Sequence, residues 1–272
     1  MQSRSLLALL SALALSSASP IRRRCGNNTS PAPTNSTAPV SPAASSDAPA
    51  TPALPSTGSG TQLDGPGTAT LKHILIGHGI QNYTCSSTSS AATSIGALAV
   101  TWDITSLYPN TSPSSLSAAD FSALSSKVLR TTPSPFDTPP SPPSSSSPFP
   151  PPADLTLDGT PEPLKFMGHH FFDAAGVPTF DLTAAPLLFR GHKDAGIPAP
   201  ADADAGIEDP PTGAVDWLRL SDVGGSVGGA SLVYRVYTAG GQPEACGEGE
   251  GEGEGGKVMS VPYAAQYWVY GN

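Results

Sequence analysis

The chain is short of charge. Of its 272 residues only 13% are Asp, Glu, Lys or Arg, about half the ~25% usual in globular chains. Positive charge is scarcest, with 13 Lys and Arg against 22 Asp and Glu, a net charge of −9. Phosphate backbones reward the opposite balance, so no nucleic-acid partner is expected. Glycine is plentiful but has no period of three, which excludes collagen, and the sparse charge excludes a coiled coil. Beyond residue 15 no apolar run approaches the ~20 residues of a membrane-crossing helix, so no membrane span is expected. Three cysteines are too few for a disulfide-dense scaffold. No Gly-x-Gly-x-x-Gly links a strand to a helix: Gly77-His78-Gly79 runs on to Asn82 instead of glycine. With alternating strands and crossover helices also missing, a dinucleotide site is excluded and no cofactor is expected.

What the chain does contain begins with residues 1–18, which read as a secretory signal peptide: Arg4, an apolar stretch from Leu6 to Leu15, then Ser16-Ser17-Ala18. Asn-x-Ser/Thr sequons at Asn27, Asn28, Asn35, Asn82 and Asn110 fit that route as glycosylation sites. Arg22-Arg23-Arg24 reads either as a processing site or as a run of exposed arginines. Residues 19–61, dominated by Ser, Thr, Pro and Ala, bury too little apolar surface to offset their ordering entropy and are expected to form a disordered stalk. A Pro/Ser-rich insert at 131–154 has ten prolines between positions 133 and 152, which favours extended chain. Residues 247–256 form an acidic Gly-Glu loop.

Residues 62–272, interrupted by that insert and loop, have apolar residues alternating with period two. Strands are expected over 71–85, 97–108, 166–172, 179–182, 215–220, 231–238 and 264–270. The segments 166–172 and 179–182 should pair across the short loop Asp173-Ala174-Ala175-Gly176. In 231–238 both alternating faces are apolar, Leu232, Tyr234 and Val236 against Val233 and Tyr237, as in a strand covered on both sides. One helix is expected over 118–129, with Ser117 as N-cap and Phe121, Leu124 and Val128 on one face. A glycosylated Asn82 must face solvent, which turns Gln81, Tyr83 and Cys85 inward. The fold class is mostly β: a single β-sandwich or packed barrel-like domain with long disordered insertions.

Of the three cysteines, Cys85 and Cys246 both sit at strand ends inside this region and are expected to pair, leaving Cys25 free or intermolecular. Gly224-Gly225-Ser226-Val227-Gly228 has the form of a nucleophile elbow but runs into a strand and has no histidine after it, so it reads as a glycine-rich hairpin loop. His169, His170 and Asp173 are a candidate metal set, although neighbours on a strand face opposite ways and His78 or His192 would have to join them. Trp102, Trp217 and Trp268 supply either a sugar-stacking face or core.

The blocks Gly79-Ile80-Gln81-Asn82-Tyr83-Thr84-Cys85, Gly96-Ala97-Leu98, Gly168-His169-His170-Phe171-Phe172 and Val215-Asp216-Trp217-Leu218 recur in order. They continue through residues 233–243 and Cys246 to Val261-Pro262-Tyr263-Ala264-Ala265-Gln266-Tyr267-Trp268-Val269-Tyr270. In these blocks the chain resembles an uncharacterised family of secreted β-rich domains of fungi and bacteria, a domain of unknown function. Fungal members are often labelled malate dehydrogenase. The resemblance implies a compact secreted β domain with a cysteine before the last strand, and no catalytic residue. The dehydrogenase label conflicts with the missing nucleotide motif. The expected function is that of a secreted glycoprotein, extracellular or in the cell wall, with a structural or binding role toward wall polysaccharide or an extracellular protein. The alternative is a secreted enzyme, metal-dependent or as labelled.

Overall fold

The computed structural model describes residues 51–57, 60–86, 89–136, 147–247 and 257–272, all within one compact unit, Asp47–Asn272. The expected signal peptide, Arg22-Arg23-Arg24, Cys25, Asn27, Asn28, Asn35, the core of the proline insert and most of the Gly-Glu loop lie outside the described residues.

Eight antiparallel strands run in chain order and close into a barrel: β1 (Thr70–Ser86), β2 (Ser89–Asp103), β3 (Lys165–Phe172), β4 (Pro178–Leu182), β5 (Leu187–Ile197), β6 (Trp217–Asp222), β7 (Ala230–Gly240) and β8 (Val258–Gly271). Closure comes from β1 pairing with β8 over nearly its whole length, Thr70 opposite Gly271 and Thr84 opposite Val258. A closed sheet leaves no unpaired edge. The fold is therefore the barrel rather than the sandwich. β5 was missing from the expected strands: Gly191, Gly196 and the run His192-Lys193-Asp194 break its apolar alternation.

Period two sorts the side chains. On β1, Ile74, Ile76 and Ile80 face outward while Leu75, Gln81 and Tyr83 face inward. The outward residues are nevertheless buried, because other chain covers them. Helices α1 (Ala118–Ser122) and α2 (Leu124–Thr131) lay Phe121, Leu124, Val128 and Leu129 against that face. The single expected helix is thus two, parted at Ala123. Ser117 caps the first, its hydroxyl accepting from the Asp120 backbone N–H at 3.1 Å. Gln266 of β8 donates through Nε2 to the Phe121 carbonyl at 2.8 Å, and Arg130 holds both carboxylate oxygens of Asp204 with Nε and Nη2.

The expected disordered segments take part in this cover. Leu54 and Leu63 pack against the outer cluster, and Ala53 donates to the Tyr108 hydroxyl at 3.2 Å. In the Pro/Ser-rich insert, Thr131 still belongs to α2, Phe136 is buried, and Phe149 stacks on His169 with ring centroids 4.0 Å apart. Trp102 donates to the Ala153 carbonyl at 2.9 Å. Aromatic anchors at both ends of the insert explain why a proline-rich stretch packs here: extended chain needs only side-chain contacts and a few backbone acceptors.

Inside, one half of the barrel is filled. Leu75, Leu182, Leu187, Phe189, Val233 and Val269 interlock there. Which residues enter depends on bulges. The β2–β3 register slips between Thr101 and Trp102, so both Met167 and His170 face inward. Gly168 sits at this slip with φ 153°, and a Cβ there would lie 2.0 Å from the Asp181 carbonyl oxygen. A second slip between Val236 and Ala239, with Tyr237 at φ 47°, turns Tyr237 outward against Trp217. Tyr237 was expected to share the face of Val233; the bulge reverses it.

Gly168→Ala is expected to destabilise the barrel by more than about 3 kcal/mol, since backbone must move. Gly176→Ala, in the open β3–β4 turn with nothing near its Cβ, should cost only about 1 kcal/mol. Urea unfolding of the two variants checks this; equal losses would contradict the close approach at Gly168.

Candidate functional site

The other half of the barrel is not filled. It encloses a cavity of about 400 Å³ to which all eight strands contribute, the size range of small-molecule sites. Its wall is apolar at Phe172, Pro178, Val215, Leu218 and Leu220, and polar at Gln81, Tyr83, Ser94, Lys193, Asp216 and Arg235. His170 and Tyr267 form the side toward the packed half. Tyr267 needs the space over Gly77, where a Cβ would come within 2.6 Å of its ring.

Around His170 the packing is specific. Its ring stacks on Phe180 at 4.1 Å and 12°, and Tyr267 meets Phe180 edge-on at 4.9 Å. His170 Nδ1 lies 2.9 Å from the Thr179 carbonyl, which can only accept, so the proton sits on Nδ1 and Nε2 keeps its lone pair. Full burial pushes this imidazole down to about 4, so it is neutral at physiological pH. Beside it the Tyr263 and Tyr267 hydroxyls bond at 2.8 Å. Burial raises both phenols, and the nearby Arg235 guanidinium acts against that rise. Tyr83 donates to the Gly241 carbonyl at 2.7 Å, and burial pushes it up to about 12. Every cavity tyrosine is thus a neutral donor.

Two cations remain. Arg235 donates from Nε and from Nη2 to one backbone carbonyl, that of Asp216, at 3.1 and 2.9 Å. Neither Arg235 nor Lys193 has a carboxylate within salt-bridge distance among the described residues. Gln81 is 5% exposed, and its Nε2, beside the Tyr263 hydroxyl, completes no well-formed hydrogen bond.

Residues 66–271 match the family described as Protein of unknown function (DUF3455). The chain belongs to that family. No curated protein and no solved structure matches it. The span shared with DUF3455 contains all eight strands, so barrel and cavity lie inside the family domain.

The candidate metal residues do not converge in this DUF3455 chain. His170 points into the barrel, while His169 lies outside between Phe149 and Phe166. Asp173 builds the β3–β4 turn, accepting from the Ala175 and Val177 amides and from Arg190 at 2.7 Å. His78 lies on the outer face of β1, its Nδ1 3.2 Å from the Thr132 hydroxyl, and His192 is exposed. Among the described residues no three His, Cys, Asp or Glu side chains group to hold a metal. Pleating separates His169 from His170, and the turn consumes Asp173.

Cys85 and Cys246 are joined, with sulfurs 2.12 Å apart, tying the end of β1 to the chain after β7. Asn82 accepts from the Ser260 hydroxyl at 2.8 Å, and Asn110 is exposed at φ 60°. Ser226 stands in the β6–β7 hairpin loop, its hydroxyl donating to the Asp222 carboxylate and accepting from the Arg190 amide. Trp102, Trp217 and Trp268 are all buried, at 7%, 2% and 1% exposure, so they present no stacking face. Sequence reasoning missed Arg235 and Lys193. The signal for Arg235 was present: a single charge on the inward face of a strand whose two faces are otherwise apolar.

His170, and His78, which burial also lowers to about 4, give a pH signature. Their folded values lie below the ordinary 6.5, so between about pH 6.5 and 4 the unfolded chain binds more protons. Stability is full above that window and falls as pH drops through it, by roughly 3 kcal/mol per histidine. Melting scans from pH 7.5 to 4.5 should show Tm declining, with His78→Gln removing about half of the decline. A flat profile would contradict neutral burial.

Proposed function

We propose that this protein is a secreted, glycosylated binding protein that takes a small organic molecule into the mouth of its barrel. The observation that carries the reading is the division of the barrel interior: one half interlocked side chains, the other a cavity of about 400 Å³ with the buried Gln81 amide on its wall. Eight-stranded barrels are just wide enough either to fill themselves or to hold one small ligand, and this chain does each in one half. Polar side chains, among them Gln81, Tyr83, Ser94 and Arg235, share the wall of the open half, which forgoes part of the burial that stabilises the filled one.

Export is supported by the leader-like residues 1–18, by the sequons and by a cystine of the kind that persists in oxidising compartments. In this reading residues 19–50 form the stalk, and the chain from residue 51 onward belongs to the domain. Wall polysaccharide loses its suggested stacking surface with the tryptophans buried, so the ligand is assigned to the cavity. The enzyme alternatives gain no support: an antiparallel meander offers no strand–glycine loop–helix for a dinucleotide, and the three metal candidates stand apart.

The test is binding of a neutral solvatochromic dye such as Nile red to the purified full chain. Its emission is expected to rise and shift blue with a micromolar Kd. Leu218→Trp, which fills the mouth from a partly exposed wall position, should weaken binding at least about tenfold while leaving the far-ultraviolet spectrum unchanged. No emission change, or equal binding by a folded Leu218→Trp variant, would overturn the cavity as the binding site.

A further inference from the structure

The inference deepens the binding function proposed above and rests on it. The cavity sits in a protein of net charge −9, yet its wall carries two cations, Arg235 and Lys193, against one carboxylate, Asp216. The other titratable groups facing it, His170, Tyr83 and Tyr267, are neutral at physiological pH, as is Tyr263 behind them. The excess of one positive charge is therefore not cancelled from within.

Arg235 is the more telling cation. It lies on the inward face of β7 and spends Nε and one Nη2 donor on the Asp216 backbone carbonyl rather than on the Asp216 carboxylate. A guanidinium has five donors in a planar fork. The remaining donors, on Nη1 and Nη2, meet no carboxylate among the described residues; the neutral Tyr267 hydroxyl accepts from this guanidinium instead. A cation set partly out of water without an anion is costly. A planar fork with one edge anchored on a carbonyl and no anion on the other matches the two oxygens of a carboxylate. The Gln81 amide on the same wall, whose Nε2 completes no well-formed hydrogen bond although the Tyr263 hydroxyl lies beside it, adds a second neutral donor group. The rest of the wall includes Phe172, Pro178, Leu218 and Leu220, which offer nothing to a second charged end.

We infer that the cavity binds a small amphiphilic carboxylate, its head held by Arg235 and its apolar body laid against Phe172, Pro178, Leu218 and Leu220. Lys193, which makes no hydrogen bond or ion pair to the described residues, adds long-range attraction for the anion.

Titration calorimetry on the full chain at pH 7 with octanoate, octanamide and octylammonium tests this. Octanoate is expected to bind at least about tenfold more tightly than octanamide, with octylammonium weakest. Arg235→Gln should bring octanoate down to the octanamide level, Arg235→Lys should retain part of the preference, and Lys193→Gln should cost about threefold. If Arg235→Gln fails to fold for want of its bond to the Asp216 carbonyl, the ligand comparison on the unaltered chain and the Lys193→Gln variant decide the matter. Equal binding of octanoate and octanamide, or octanoate binding unchanged in a folded Arg235→Gln variant, overturns the carboxylate assignment. If Nile red binds while octanoate does not, the carboxylate inference fails and the cavity reading stands; if neither binds, both fail.

Discussion

The pairing of β1 with β8 is the constraint on which the rest of the structure depends. It pairs the 17-residue β1 with the 14-residue β8, removes both sheet edges, and fixes an interior of limited width. Once that interior exists, each inward side chain either contributes to packing or borders a space. Leucine, valine and phenylalanine settle this in the lower half. In the upper half, the same inward positions hold Gln81, Tyr83, Lys193 and Arg235, and the interior stays open.

Closure also explains why so much of the outer face is apolar. A barrel with one filled half and one hollow half has little core of its own. Here the outward residues of β1, β7 and β8 make a second core beneath α1, α2 and the chain at 51–57, 60–64 and 147–164. The proline-rich insert and the end of the supposed stalk are thereby structural: Phe136, Phe149 and Leu54 seal apolar surface that a bare barrel would expose to water.

Bulges carry the functional consequences. A one-residue slip at Gly168 brings His170 to the cavity and leaves His169 under Phe149; a second, at Tyr237, ends the inward run of β7 just beyond Arg235. Strict alternation from one end of either strand assigns one residue beyond each slip to the wrong side. Pleating sets the two histidines on opposite faces, which is why the pair reads in sequence as a weak metal candidate; the slip decides which of them faces inward. In the fold the pair is a neutral cavity group and an outer packing group.

The β class, the β3–β4 hairpin, the Ser117 cap, the inward set Gln81, Tyr83 and Cys85, and the double burial of residues 231–238 are all legible in the chain itself. Each follows from local rules: period two, a capping hydroxyl, the Asp and Gly of a tight turn. The glycine-broken β5 was not legible, because pairing with β4 and β6 overrides its weak local pattern. Nor was the site, since its residues come from eight strands far apart in the chain and none forms a motif with its sequence neighbours. Sequence alone determined which residues want to be strands and which must be covered. Only closure of the sheet decided that Arg235, His170, Gln81 and Tyr267 share one unfilled space, because that depends on register and bulges set by long-range hydrogen bonding.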